Sequence, residues 1–427
     1  MKLLLLLLSL LVISSLAAQE EGSLTWDIDT IFDEPLPEPE KDSTPGKDSA
    51  DVKKEEPKAP SGPTVASLVR RRGIRLDAAF EFMAGLAPGW AEAPWLSPEE
   101  NEFLWGQNVK MRADFGLDAQ ISEIFRVRSV FYFTIPAYNF TLGDFFFDYS
   151  IYDRIFLRAG KYNLSWGISP NFAFSDLLAR VPADGYRGQP YVLKADIPVG
   201  IGGIQLLALT RANLMRNVIP GWKDIGFGGK FNLAFPWADF DLGVFYLNRM
   251  PMRGFFSIKT TLWDTEIYNE WLGVKDVHEK SDMSGAVNLG FFRDFFGRKF
   301  SVNGEVFYNA EGNAYWYRPE TNYREAEISP FINGFNLALN LIYRFDGKGS
   351  PRVFIQSLYA PQQKSAHLVP GFRISPWTHA ELYLAVPMSL GSRDGYYYSH
   401  TEDPLNRPFS VVLMLTLKGR AQVAQYY

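Results

Sequence analysis

The side chains in this sequence that could do chemistry are charged residues placed at every second position of long apolar stretches. The stretch GIRLDAAFEFMAGL puts Arg75, Asp77 and Glu81 on one side of an extended chain and Phe80 and Phe82 on the other. A helix would scatter the same residues, so the period of two predicts a strand with one charged face and one apolar face. Rows of fixed charge can steer and orient ions and polar molecules without making or breaking bonds.

Groups suited to catalysis are sparse. The chain has 4 His and no Cys, which excludes thiolate metal sites, disulfides and a Cys nucleophile. Ser399 and His400 come nearest to a nucleophile and its base, but nothing supports triad spacing and we interpret them as an exposed loop pair. The glycines of Gly226–Lys230 lie inside an alternating stretch and indicate close packing or a bend. The sequence predicts no enzyme, no cofactor and no metal site.

The N-terminus predicts export. MKLLLLLLSLLVISSLAAQ has a basic start, an apolar core and small residues before Gln19, which is typical of a signal peptide over residues 1–18. No later run approaches the ~18 apolar residues of a membrane helix. The chain is nevertheless 47% hydrophobic and 15% aromatic. An exported, Cys-free, strand-forming chain of this kind favours an outer-membrane β-barrel, with a secreted sandwich or propeller left open.

Residues 19–72 differ in composition from the rest of the chain. Residues 19–63 carry 13 acidic and 5 basic side chains, a net charge of −8, together with many prolines. Such a segment cannot bury enough apolar surface to fold, so we predict a disordered acidic, Pro-rich periplasmic tail over 19–72. It would act as a spacer or touch the cell wall or a periplasmic partner. No basic patch is visible, and nucleic acid is therefore not an expected partner.

Residues 73–427 repeat the two-residue period. We predict an all-β fold, a transmembrane antiparallel up-and-down β-barrel of about 16 strands, or 18 if Phe255–Leu272 adds a pair. Short periplasmic turns are expected at 122–123, 152–153, 198–203, 236–239, 293–298, 346–352 and 375–378. Long extracellular loops are expected at 87–107, 136–143, 167–189, 213–223, 249–282, 310–331, 361–366 and 391–407.

Aromatic residues at strand ends support the same fold. The expected interfacial girdle contains Trp166, Trp237, Tyr343, Phe345, Tyr359 and Trp377. The terminal Tyr427 resembles the assembly signal of bacterial outer-membrane proteins, which implies the barrel-assembly machinery as a partner. In lipid every backbone polar group must be paired, so the sheet must close, its apolar face must point outward and its charged face must line a wet interior.

The sequence resembles the bacterial porin family at the level of architecture over residues 73–427. The local piece FLRAGKYNLSWGISPNFAFSDLLARVPADGYRG carries the resemblance, because it ends in the third long loop. In trimeric porins this loop folds inward, and its acids face a basic wall. The resemblance implies that Asp176 and Asp184 are these acids, although Arg180 and Arg187 depart from the acidic pattern of enteric porins.

The expected pore-lining residues combine this loop with the lumen-facing positions of the strands. They are Lys110, Arg112, Arg126, Arg128, Arg158, Asp176, Asp184, Lys230, Arg344 and Arg373. More inward bases than inward acids indicate a mild anion preference.

The resemblance implies a bacterial outer-membrane channel for passive diffusion of small hydrophilic solutes. Its partners would be membrane lipid, the lipid-anchored envelope surface and those solutes; a homotrimer is left open. Two alternatives stay open, a surface adhesin with ligand-binding loops such as Gly395–Asn406 and a lipid or fatty-acid transport barrel.

Overall fold

The computed structural model describes residues 73–90, 102–162, 164–172, 190–210, 225–247, 252–275, 283–310, 334–392, 395, 397 and 408–426. The predicted signal peptide, the predicted acidic tail, and the predicted loop acids Asp176 and Asp184 lie outside these residues.

The described chain forms a closed antiparallel β-barrel of eighteen strands. The strands are β1 (Gly73–Leu86), β2 (Gln107–Gln120), β3 (Phe125–Ile135), β4 (Asn139–Ile151), β5 (Ile155–Lys161), β6 (Tyr191–Val199), β7 (Gly202–Thr210), β8 (Ile225–Ala234), β9 (Ala238–Leu247), β10 (Met252–Leu262), β11 (Thr265–Lys275), β12 (Ser284–Phe295), β13 (Phe300–Asn309), β14 (Gly334–Arg344), β15 (Arg352–Ala360), β16 (Ser365–Trp377), β17 (Ala380–Ala385, continued by Met388–Gly391) and β18 (Val412–Tyr426). Three short segments, Gly89–Trp90, Phe103–Leu104 and Phe409–Ser410, extend β1, β2 and β18 beyond breaks in the ladder. Among the described residues no helix is long and apolar enough to cross a membrane.

The barrel closes between its first and last strands. β1 pairs with β18 from Ile74 opposite Tyr426 to Leu86 opposite Leu413, with one irregularity after Leu76. On its other side β1 pairs with β2 along its whole length. The first strand therefore has no free edge, and its backbone groups are paired within the sheet as a lipid environment requires.

The eighteen-strand alternative is confirmed, because the stretch that contains Phe255–Leu272 forms the hairpin β10–β11 instead of a loop. Its turn consists of Trp263 and Asp264, which both have positive φ angles, 50° and 59°. Two consecutive left-handed residues are the geometry of the tight hairpin turn that Asn-Gly or Asp-Gly usually makes. Because this turn has no glycine, the sequence gives little sign of it.

The connections alternate between the two rims, as predicted. One rim carries the short turns 121–124, 152–154, 200–201, 235–237, 263–264, 296–299, 345–351 and 378–379. Three connections at the other rim, 136–138, 248–251 and 361–364, are also short. The expected long loops at 136–143 and 361–366 are thus wrong in length, because β4 begins at Asn139 and β16 begins at Ser365.

Neighbouring turns on the short-turn rim are tied to each other. The Lys299 ammonium lies beside the Asp346 carboxylate of the next turn, and this hydrogen-bonded ion pair raises the pKa of Lys299 above its usual value. Arg344 also donates a hydrogen bond of 2.9 Å to the backbone carbonyl of Arg298.

The two faces of the sheet differ as a barrel in lipid requires. Leu206 is 50% exposed on the outer face, while the adjacent Leu207 is 5% exposed and packs inside. Exposed Phe, Leu and Val side chains occupy outer positions on strands all around the barrel. An apolar exterior on a closed sheet is the inverse of a soluble fold and is suited to contact with hydrocarbon.

Aromatic side chains cluster at the short-turn rim. Trp237, Trp263, Phe296, Trp377 and Tyr152 are exposed at five of the turns, where amphipathic rings suit the membrane–water interface. The girdle assignment of Trp166 is wrong, because its indole is 1% exposed inside the barrel.

The outer face provides a test of membrane depth. Leu289 lies in the middle of β12 and Leu262 at the turn end of β10, and the two are 53% and 46% exposed. We expect Leu289→Arg to lower the free energy of unfolding in lipid bilayers by about 2–4 kcal/mol. We expect Leu262→Arg to lower it by no more than about 1 kcal/mol. Denaturant titration in vesicles measures both; equal costs would contradict the assigned orientation.

Candidate functional site in the barrel interior

The chain that follows β5 turns into the barrel instead of continuing along its rim. Residues 164–172, the inward segment, hydrogen-bond to side chains of β7, β11, β12, β13 and β14 on the barrel wall. This is the beginning of the loop for which the porin resemblance implied an inward fold. The described part of that loop does lie inside.

Glu305 on β13 holds the inward segment. Its carboxylate accepts hydrogen bonds from the Ser169 hydroxyl (2.6 Å), the Asn171 amide side chain (2.7 Å) and the Asn171 backbone N–H (3.0 Å). It also accepts from the Tyr268 hydroxyl (2.9 Å) and the Asn288 side chain (3.0 Å). Glu305 is only 3% exposed. A buried carboxylate costs much free energy unless donors surround it, and here the donors come from both the wall and the segment.

A second layer of amides surrounds this carboxylate. The Asn340 side chain donates to Asn171 Oδ1 at 2.6 Å, and Asn171 donates to Asn303 Oδ1 at 2.6 Å. The backbone N–H of Ile168 donates to Glu270 Oε1 at 2.7 Å. The segment is therefore joined to β11, β13 and β14 by a connected polar network, in which each partner positions the next.

Apolar packing fixes the same segment. Phe172 stacks on Phe307 of β13 with ring centroids 5.1 Å apart, and Trp166 lies 5.7 Å from Phe255. Trp166 fits against the glycine stretch of β8, since a Cβ at Gly228 would come within 2.9 Å of its ring. Close packing, which the sequence predicted for Gly226–Lys230, is thus what Gly228 provides.

Another inward contact comes from the connection between β17 and β18. Tyr397 is buried in the same apolar cluster, and its hydroxyl donates to Asn336 Oδ1 on β14 at 2.9 Å. Its backbone N–H lies 3.4 Å from the Ser365 hydroxyl, which accepts the hydrogen bond. Two segments from the loop rim therefore cover the interior of β11–β14.

The interior of the other side of the barrel is charged. We call the inner faces of β18, β1, β2 and β3 the charged wall. Register pairing places seven basic and four acidic side chains on it: Arg75, Lys110, Arg112, Arg126, Arg128, Lys418 and Arg420, with Asp77, Glu81, Asp114 and Asp118. The formal excess on the charged wall is three positive charges.

Many of these charges form a row that crosses four strands. Asp77 lies 3.7 Å from Arg420 and 2.9 Å from Arg75, and Arg75 lies 3.6 Å from Asp118. Asp118 in turn accepts a 2.7 Å hydrogen bond from Arg126 Nε. Acids and bases therefore alternate from β18 to β3.

Arg112 and Lys418 make further contacts on the same wall. Arg112 pairs with Asp114 at 2.7 Å and lies 3.9 Å above the Tyr132 ring. Lys418 pairs with Glu81 at 3.3 Å. Lys110 and Arg128 form no ion pair with any residue in the part of the chain that the structure describes.

The other predicted pore-lining bases lie elsewhere around the barrel. Arg158 on β5 pairs with Asp148 at 2.6 Å, and Lys230 on β8 lies 3.3 Å from Asp241. Arg373 on β16 pairs with Glu381 and is mostly buried. Arg344 lies at the short-turn end of β14 beside Ser301. Four of the eight described members of the predicted set thus lie on the charged wall, and the other four are spread over β5, β8, β14 and β16.

The two sides differ in exposure. On the charged wall the side chains of Arg420 and Lys418 are 70% and 48% exposed, whereas Glu270 and Asn288 beneath the inward segment are fully buried. Open space in the described interior therefore lies against the charged wall. Among the described residues no three His, Asp or Glu side chains come together as a metal site.

The sequence analysis missed Ser169, Asn171, Tyr268 and Asn288 as part of the site. A signal was present in the residue types at inward positions. β12–β14 carry Asn at 288, 303, 336 and 340, while β1–β3 carry Arg, Lys and Asp. Amides can be buried once their hydrogen bonds are satisfied, but unpaired charges need water, so an amide-rich wall indicates a covered surface.

Solved structures share this fold. The chain matches Pseudomonas aeruginosa OccK3 (OpdO) with a TM-score of 0.53 and 9% identity, over 82% of this chain and 96% of that one. OccK5 (OpdH) from the same organism matches with a TM-score of 0.51 and 8% identity, over 82% and 98%. Pseudomonas aeruginosa OpdL gives 0.50 and 10%, over 82% and 99%. No protein-family model and no curated protein matches the sequence.

These similar structures are outer-membrane porins, and the class that the fold defines is a porin-like β-barrel. At identities of 8–10% the likeness concerns the fold alone. What this chain conducts or binds must be argued from its own interior.

The role of Glu305 can be tested on the segment that it holds. Because the backbone N–H groups of Asn171 and Phe172 donate to it, Glu305→Ala should speed their hydrogen exchange by roughly 100-fold through loss of charge-assisted hydrogen bonds. The matched control is Glu266→Ala, which removes an exposed ion pair with Lys259 and should leave these two amides unchanged. Equal exchange in both variants would show that Glu305 does not hold the segment.

Proposed function

We propose that this chain is an outer-membrane porin through which small hydrophilic solutes pass by diffusion along the charged wall. The observation that carries the proposal is the division of the interior. One side is covered by the inward segment, and the opposite side carries eleven charged side chains, none of them buried and five of them exposed, within a closed barrel. Barrels of this strand number have room for water inside, and exposed charges at the wall favour polar over apolar solutes.

Structural pairing alone does not account for these charges. Exposed ion pairs contribute on the order of 0–1 kcal/mol each, and the backbone ladder already joins the strands. A wet passage explains why Lys110 and Arg128 stand on the wall without an ion-pair partner among the described residues.

A mild anion preference is part of the proposal. The formal excess on the charged wall is three positive charges, and each of its four acids already lies within 4 Å of a base. An anion that moves along the wall is attracted by the excess, whereas a cation meets acids that Arg or Lys side chains already neutralise.

The alternatives receive less support. A lipid or fatty-acid transporter needs an open apolar passage, but Trp166, Phe172 and Phe307 pack tightly against one another and their neighbours. Most of the loop Gly395–Asn406, which the adhesin alternative invoked, lies outside the described residues. We propose no catalytic role. The outer membrane as location, a periplasmic N-terminal tail, and assembly by the barrel-assembly machinery follow from the proposal.

Planar-bilayer recording tests the channel directly. Reconstituted protein should give stepwise, salt-dependent conductance, because fixed charges and mobile ions share one aqueous path. Folded protein that shows no conductance, with the N-terminal tail present and after its removal, would refute the proposal.

Ion selectivity tests whether solutes pass along the charged wall. Lys110→Glu with Arg128→Glu replaces two bases that form no ion pair with a described residue, and it changes the formal charge of the wall from +3 to −1. The reversal potential in a salt gradient should shift toward cation selectivity. The control is Lys348→Glu, which is exposed on the turn between β14 and β15 and should cause little change. An unchanged reversal potential in the double variant would place the passage elsewhere.

A further inference from the structure

We infer that the charged wall is a docking surface for this chain's own acidic segment, residues 20–56. The inference goes beyond solute diffusion and rests on it in one respect, since the segment needs the water-filled space that the proposed function assigns to the interior. Two observations carry it, complementary charge and the place where the segment is attached.

The charged wall and the acidic segment carry net charges of opposite sign. The charged wall has a formal excess of three positive charges, and its Lys110 and Arg128 form no ion pair with a described residue. The 13 acidic side chains of residues 19–63 all fall within 20–56, and residues 19–63 have a net charge of −8. Carboxylates of such a segment can pair with Lys110 and Arg128 and approach the Arg side chains of the row from the open side.

The attachment point lies at the foot of the same wall. The acidic segment is linked through residues 57–72 to Gly73, the first residue of β1. β1 stands between β18 and β2 in the charged wall. Gly73 is at the short-turn rim, because it pairs with Gln120 beside the turn 121–124. Gly73, where the chain enters the barrel, therefore lies at the mouth of the open side.

The reach of the segment is sufficient. Ser49 is 24 residues from Gly73, and the root-mean-square span of a 24-residue random coil is about 27 Å. β1 is roughly 46 Å long over its 14 residues, so most of the half of the strand nearest Gly73 lies within reach. A tether of this kind gives effective concentrations on the order of millimolar, at which weak charge pairing suffices for occupancy.

Docking on the wall has a consequence for passage. An acidic segment on the charged wall neutralises its excess and occupies part of the open space, so it should lower conductance and weaken anion preference. Salt should release it, since the Debye length shortens from about 10 Å at 0.1 M to about 3 Å at 1 M.

Crosslinking tests the contact without relying on conductance. The full chain has no Cys, so Ser49→Cys with Ala79→Cys introduces a single pair. Ala79 lies on the inner face opposite Asp114, and the adjacent Ala78 lies on the outer face opposite Phe115. We expect a disulfide at position 79 at low salt, at least 10-fold more than with Ala78→Cys, and its loss at 1 M salt. It should also be lost when the acids of 20–56 are changed to Asn and Gln.

Conductance tests the consequence in the same protein. A protease site inserted between Ser61 and Gly62 allows the segment to be cut from a channel already in the bilayer. Cleavage should raise conductance about twofold at 0.1 M salt and leave it unchanged at 1 M.

The outcomes separate the two proposals. Equal crosslinking at positions 78 and 79, or crosslinking that survives neutralisation of the acids, overturns the docking inference. A measurable conductance that cleavage does not change also overturns it, while the channel itself stands. If crosslinking follows the expected pattern and no conductance appears before or after cleavage, docking stands and the porin function fails.

Discussion

The requirement that every backbone N–H and C=O be paired inside a lipid layer governs the whole molecule. It forces β1 and β18 to pair, and closure then assigns one face of each strand to lipid and the other to the interior. Leu206 and Leu207, adjacent in sequence, end in opposite environments for this reason. The charged residues of β1–β3 face the barrel interior, where water can solvate them, and not an apolar core.

The interior of a closed barrel is occupied either by water or by protein, and this barrel has an open side and a filled side. Glu305 determines how the inward segment packs on the filled side. Its carboxylate is only 3% exposed, and such burial is tolerated only where Ser169, Asn171 and Tyr268 supply donors. The charge thus selects one position of the inward segment. Without that position the open space would have no defined boundary opposite the charged wall.

Much of this architecture could be predicted from sequence, because strand periodicity is local. The two-residue period gave the faces of β1, β2 and β14 correctly, and it failed to decide on β10–β11, where the turn Trp263–Asp264 lacks a glycine. The inward segment was harder to predict. Asn171 donates a hydrogen bond to Glu305, which is 134 residues away in the sequence, and no local pattern around either residue indicates this contact. Trp166 was misplaced for the same reason, since a Trp after a strand is typical of an interface and only the tertiary fold buries it against Gly228.

The ion pairs on the charged wall do not cancel its net positive charge. Along the row Arg420, Asp77, Arg75, Asp118 and Arg126, each acid lies between two bases, so its charge is offset from both sides. Arg126, at one end of the row, also lies opposite Asp148 of β4. Lys110 and Arg128 form no ion pair with any described residue. A solute in the open space therefore meets acids of the row that are shielded by two bases, and bases such as Lys110 and Arg128 that form no ion pair with a described residue. The sign that the wall presents follows from the order of its charges as well as from their number.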